Sequence, residues 1–257
     1  MKNLFKDLLE FIRLKICFFI CSIALCGYLL FNPLGINLFF TFLASFFGTA
    51  GAYSLNNIKD KEEDLINRKS INPMVLSRFG LEITLACFSM GIFFSLFLPL
   101  LSIIFSILGI VSSLSYSCLK IKKYSLIKNI YTALGVGTAF LVGASYMNME
   151  VMWSYLLFFF FIIIMSLISD LRDYAGDKKS NIRTLPVSIG YERVRKIIFI
   201  LLGIFSIQVS FSSKLFAFLP FVLFMLYFLY KNKPSDAHSW GGFSFIFLTF
   251  WLYLCSL

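Results

Sequence analysis

The stretch Leu156 to Pro186 reads LLFFFFIIIMSLI SDLRDYAGDKKSNIRTLP, an unbroken apolar run that passes directly into three aspartates, Asp170, Asp173 and Asp177. The first half is too hydrophobic for a surface in water and has the make-up of a membrane helix. The second half places carboxylates at the mouth of that helix, where desolvation makes unpaired charge costly. A fold that accepts both is a membrane protein with a charged site at one interface.

Working outward, apolar runs of about 17 to 25 residues recur between polar breaks at 14–32, 35–55, 81–98, 100–118, 127–147, 152–170, 195–212, 214–230 and 239–256. With 59% hydrophobic residues and 33 Phe in 257 residues, and a mean hydropathy of +0.86, the chain lies well outside the composition of soluble domains. The expectation is an all-α polytopic membrane protein with nine transmembrane helices, one domain over residues 1–257. Its polar connections are too short to fold alone. The start MKNLFKDLLEFIRLK is charged and amphipathic and no small-residue cleavage site follows, so the first run is expected to be a true span.

Of the 23 Lys and Arg residues, all but Lys214 fall on the side that holds the N-terminus and the even-numbered loops; of the 13 Asp and Glu, only Glu150 falls on the other. The positive-inside rule puts that charged side, with both Asp-rich segments, in the cytoplasm, and the chain in the cytoplasmic membrane. The bilayer is the expected large partner, and no nucleic acid is expected. The six cysteines lie in apolar runs without a CxxC pair and read as small hydrophobes. The lone His238 sits at a helix start and is read as bland.

An earlier acidic segment, NNIKDKEEDLINRKSINP from Asn56 to Pro73, hereafter the first, matches the Asp170 segment, the second, under a shift of 113 residues. Asn57 meets Asp170, Asp60 meets Asp173, Asp64 meets Asp177, and Pro73 meets Pro186. The same shift lays four spans on four, so the chain reads as two related four-helix halves plus one helix, an arrangement that favours a site between the halves. Offsets of three, four and seven keep the acids of each cluster on one helical face. Glu62 and Glu63 lie off that face, and Gly176 reads as a helix stop.

Facing carboxylates repel unless a cation compensates them, and Mg2+ suits oxygen ligands and substrate phosphates. The basic residues nearby are Arg68, Lys120, Lys122, Lys123, Arg172, Lys178, Lys179 and Arg183, of which Arg suits bidentate phosphate binding and Lys acts as a point charge. Spacing does not rank them; Arg68, Lys120, Lys122 and Arg183 are assigned to a bound diphosphate. Glycines 135, 137 and 143 of the fifth run read as helix-packing positions, and the Phe158–Phe161 run as core or lipid-facing.

These residues resemble the UbiA-type intramembrane prenyltransferases, which carry NDxxDxxxD after the second helix and DxxDxxxD after the sixth. Here the first motif is Asn56-Asn57-Ile58-Lys59-Asp60-Lys61-Glu62-Glu63-Asp64 and the second is Asp170-Leu171-Arg172-Asp173-Tyr174-Ala175-Gly176-Asp177. RTLPVSIG continues the second motif, and Tyr116 with Lys120 looks like the family's tyrosine and lysine signature. The resemblance implies helices around a central cavity open to lipid. It also implies Mg2+-dependent transfer of an isoprenoid chain from a prenyl diphosphate donor to a lipophilic acceptor, an aromatic quinone precursor or a lipid alcohol. It puts Asn56, Asp60, Asp64, Asp170, Asp173 and Asp177 on the metal, with Asp60, Asp64, Asp173 and Asp177 catalytic, and Tyr116 and Asn57 in the substrate cavity. Asn57 departs from the family's Asp and removes one negative charge. The competing classes are a transporter, disfavoured by ionisable residues gathered at one interface rather than mid-membrane, another phosphate-ester membrane enzyme, and a catalytically silent lipid-binding relative.

Overall fold

The computed structural model describes residues 4–61, 65, 70–119, 121, 125–179 and 182–257. Among them there is no strand. The helices are α1 (Leu4–Phe11), α2 (Leu14–Phe31), α3 (Ile36–Lys59), α4 (Pro73–Leu76), α5 (Arg78–Ser95), α6 (Leu100–Cys118), α7 (Ser125–Ala144), α8 (Met149–Lys179), α9 (Leu185–Ile189), α10 (Tyr191–Ser210), α11 (Leu219–Tyr230) and α12 (Pro234–Ser256). A 3₁₀ turn, Phe216–Phe218, leads into α11.

A helix stands at each of the nine apolar runs, and seven of them are long and apolar enough to cross a membrane: α2, α3, α5, α6, α7, α8 and α12. The other two expected spans differ from the seven. The first turns of α10 carry Glu192, Arg193, Arg195 and Lys196, which shortens its apolar part. The helical stretch Phe216–Tyr230 is a shorter apolar element, and at 1.5 Å per residue it falls short of a hydrocarbon core of about 30 Å.

The internal repeat is visible in the element boundaries. The shift that pairs Asn57 with Asp170 carries the start of α3 at Ile36 onto that of α8 at Met149, and the start of α5 at Arg78 onto that of α10 at Tyr191. It also carries the end of α2 at Phe31 onto the end of α7 at Ala144. The short helix begun by Pro73 falls on the short helix containing Pro186. Proline at the first turn of each loses no helical hydrogen bond, so the same device restarts the chain after each acidic segment.

Packing follows the small residues. α2 lies against α3, α7 and α12, while α3 also carries α5 and α6, and α8 carries α10 and α12. At the α2–α7 crossing a Cβ on Gly27 would sit 2.2 Å from the Phe140 carbonyl oxygen, and one on Gly143 1.9 Å from that of Ala24. Those two backbones approach to a distance only glycine permits. Around α8, Phe140, Phe158, Phe161, Phe218 and Phe245 are buried in one aromatic cluster with edge-to-face and tilted contacts. Three cysteines, Cys17, Cys21 and Cys26, are buried and unbridged, as their apolar surroundings suggest.

Candidate active site

The second acidic segment is not a loop. α8 runs without a break through Gly176 to Lys179, so the expected helix stop at Gly176 is a correction; with nothing within 4 Å of its Cβ position, that glycine is simply a solvent-facing helix residue. The continuous helix puts Asp170, Asp173 and Asp177 in the expected 0, 3, 7 register, but their surroundings differ. Asp170 is 2% exposed. It is ion-paired with Lys128 on the first turn of α7, and it accepts a hydrogen bond of 3.1 Å from Asn129 Nδ2. Asn129 is itself held by Ser166, whose hydroxyl donates to its Oδ1 at 2.7 Å. A buried carboxylate satisfied by a cation and an amide is fixed in place.

One turn on, Asp173 is open to solvent, and Arg172 grips both of its oxygens, Nε to Oδ1 and Nη2 to Oδ2, each at 2.9 Å. Arg172 also donates to Ser169 Oγ at 2.9 Å. His238, on α12, lies within electrostatic reach of this pair, which brings a residue read as bland to the edge of the site. Asp177 is half-buried at the end of α8, and Arg183 is exposed beyond it.

The first acidic segment also begins on a helix, because α3 continues through Asn56 and Asn57 and ends at Asp60. Asn56 Nδ2 donates to Asp60 Oδ2 at 3.0 Å, the contact expected of residues four apart. Asn57 faces another way. Its Oδ1 accepts from Arg13 Nε at 3.1 Å and Nη2 at 2.7 Å, and its Nδ2 donates to the Phe11 carbonyl at 2.7 Å. Arg13 stands in left-handed backbone between α1 and α2, with its guanidinium 5.5 Å from the centre of the Tyr53 ring.

In both halves, therefore, the residue at the first position of the repeat register is held by a basic residue at the N-terminal end of that half's first long helix: Asn57 by Arg13, Asp170 by Lys128. Sequence reading missed Arg13, Lys128 and Asn129. The available signal was the repeat itself, which puts a basic residue at the same end of α2 and α7. Tyr116, near the end of α6, has its ring 6.3 Å from that of Tyr131 on α7, and its hydroxyl lies within electrostatic reach of Asp60 and Asp170. Asp64, Arg68, Lys120 and Lys122, with Glu62, Glu63 and Lys123, lie outside the described residues.

Mg2+ fits the donor chemistry here, since the acids and amides offer oxygen only. Among the described residues no three acidic, histidine or cysteine side chains gather closely enough to hold an ion by themselves.

A family model for the UbiA prenyltransferase family matches residues 16–254. The chain belongs to that family. Among its relatives is the digeranylgeranylglyceryl phosphate synthase of Sulfurisphaera tokodaii, 28% identical over 70% of this chain and 67% of that protein. Across the first relatives of that name the matched stretch spans between 54% and 67% of their length. Among solved structures, a UbiA homologue from Archaeoglobus fulgidus bound to DMAPP and Mg2+ superimposes with a TM-score of 0.75 at 15% identity, covering 96% of this chain and 98% of that one. A structure described for digeranylgeranylglyceryl phosphate synthase in membranes gives a TM-score of 0.72 at 22% identity over 100% of this chain and 99% of that one. These likenesses establish the fold: an all-helical integral membrane protein.

Proposed function

We propose that this protein transfers an isoprenoid chain from a prenyl diphosphate to a lipophilic acceptor at the membrane, with Mg2+ as cofactor. The observation that carries the reading is a pair of acid-bearing helix ends, Asp60 with Asn56 at the end of α3 and, on α8, the buried Asp170 with the exposed carboxylate of Asp173 one turn beyond. The names of the relatives favour a lipid alcohol over an aromatic quinone precursor as acceptor, and the bound DMAPP and Mg2+ of the Archaeoglobus homologue support the donor class and the ion.

Bound Mg2+ would neutralise charge on the departing diphosphate. Asp60, with Asn56 beside it, Asp64, Asp173 and Asp177 are the residues that would hold it. Asp170, expected on the metal from the motif, is read differently: enclosed by Lys128 and Asn129, it fixes where α8 leaves the bundle and so aims Asp173 and Asp177. Arg172, Arg68, Lys120, Lys122 and Arg183 supply positive charge for the diphosphate. Tyr116 presents an aromatic face and a hydroxyl where the allylic carbon becomes cationic. We read nine membrane crossings around a central cavity open to lipid, with both acidic segments on the cytoplasmic side.

The test is release of diphosphate from geranylgeranyl or farnesyl diphosphate by the purified protein, with Mg2+ and a panel of acceptors, followed by mass spectrometry of the lipid extract. Turnover that is lost in Asp60→Asn and in Asp173→Asn, with both variants folded, supports the reading. No turnover with any donor and acceptor, alongside ion flux in liposomes, would replace it with transport.

A further inference from the structure

The first acidic segment leaves α3 at Asp60 and rejoins described helix at Pro73. Its two ends are bracketed by asparagines, and both reach the same short helix. Asn57 Nδ2 donates to the carbonyl of Phe11 at 2.7 Å, and Asn72 Nδ2 donates to the carbonyl of Asp7 at 2.8 Å. The Phe11 carbonyl is among the last four of α1, which lack helical partners, and the Asp7 carbonyl, one turn earlier, has a second lone pair to offer. Asn72 is also fixed from its other side, since its Oδ1 accepts from Met74 N at 2.9 Å and caps α4.

Beneath these polar ties is an apolar one. Phe11 is fully buried, Met74 is 4% exposed, and both belong to a small core with Ile12, Cys17, Ala50 and Val75 that is separate from the main aromatic cluster. Gly80 adds to the seal: a Cβ there would meet the Met74 carbonyl at 2.1 Å and the Phe11 ring at 3.4 Å.

We propose that α1 is a strap that holds together the two ends of the first acidic segment, with Asn57 and Asn72 as positioning residues acting through the carbonyls of Phe11 and Asp7. The strap also accounts for Asn57 where the family motif has Asp. An aspartate could still accept from Arg13, but it has no N–H to give the Phe11 carbonyl. In this chain the position serves the strap, and Asp60 and Asp64 are the acids that remain at the motif positions. The inference rests on the proposed transferase reading for its catalytic consequence and on geometry alone for its structural one.

Asn72→Asp isolates the tie, because the carboxylate keeps the cap on Met74 N and loses only the donor to Asp7. Backbone hydrogen exchange of the full-length protein in nanodiscs should then rise about tenfold over residues 57–61 and 70–78, the size of one lost hydrogen bond, with α8 unchanged. In the same preparation the Mg2+ concentration for half-maximal rate should rise several-fold while kcat at saturating Mg2+ stays within about twofold. Phe11→Ala, which cuts the apolar tie, should do the same more strongly. Unchanged exchange at both ends in both variants would overturn the strap. Altered exchange with an unchanged Mg2+ requirement would leave α1 a structural brace and overturn its positioning role. A wild type with no turnover, showing the exchange pattern expected, would count against the transferase reading and not against the strap.

Discussion

Asp170 and Asp173 are one turn apart and chemically opposite. Asp170 is shut away with Lys128, so replacing the lysine leaves a buried carboxylate without its cation, a change worth about 3–5 kcal/mol. Lys128→Met is expected to lower the thermal unfolding midpoint in detergent sharply, and adding Asp170→Asn is expected to recover most of the loss. Asp173 is gripped by Arg172 in the open, with side-chain exposures of 52% and 38%, where an ion pair contributes about 0–1 kcal/mol. Arg172→Gln should therefore leave the unfolding midpoint nearly unchanged and alter only substrate or ion affinity. Equal destabilisation by Lys128→Met and Arg172→Gln would refute this division of roles. Sequence spacing showed that the three acids share a face, as α8 confirms. It did not show which of them is buried, because that depends on where α7 presents Lys128.

At the scale of the element, the crossing of α2 and α7 is set by Gly27 and Gly143, and the repeat joins there. Gly143→Ala would push a methyl into the Ala24 carbonyl at 1.9 Å and toward the Tyr28 nitrogen at 2.7 Å, a rigid backbone clash expected to cost about 1–3 kcal/mol. Gly203 on α10 has nothing within 4 Å of its Cβ position, so Gly203→Ala is expected to be neutral or to stabilise by about 0.5–1 kcal/mol through helix propensity. Chemical unfolding in the same detergent checks both, and destabilisation of equal size would show that glycine content rather than close approach controls the fold. The expectation that Gly143 serves packing holds. Its partner Gly27 carries no mark in the sequence, because the contact joins residues more than a hundred positions apart.

For the whole molecule, the nine-crossing reading makes a claim about sidedness. Lys214 lies in the turn between α10 and the 3₁₀ turn, and α10 and α11 must both cross for that turn to lie opposite the acidic segments. In a cysteine-free background, Ser213→Cys should react with a membrane-impermeant maleimide from outside intact cells, whereas a variant that keeps Cys118, at the end of α6, as its single cysteine should react only after the membrane is opened. Labelling of Ser213→Cys from the cytoplasmic side alone would make α10 and α11 a re-entrant pair and reduce the crossings to the seven that are long enough by themselves.

The sequence by itself determined the class of fold, the repeat and its register, and the two acidic segments. Hydrophobic period and span length are local, and the shared proline and the register of the acids emerge from one shift of 113 residues along the chain. Only the tertiary structure decided what each acid touches. Burial of Asp170 beside Lys128, the grip of Arg13 on Asn57, and the reach of Asn57 and Asn72 to the carbonyls of α1 all join residues more than forty positions apart in the sequence. Whether a carboxylate is a buried anchor or an open ligand is set by the cation or carbonyl that the fold brings to it, since charge in a desolvated site is stable only with a partner.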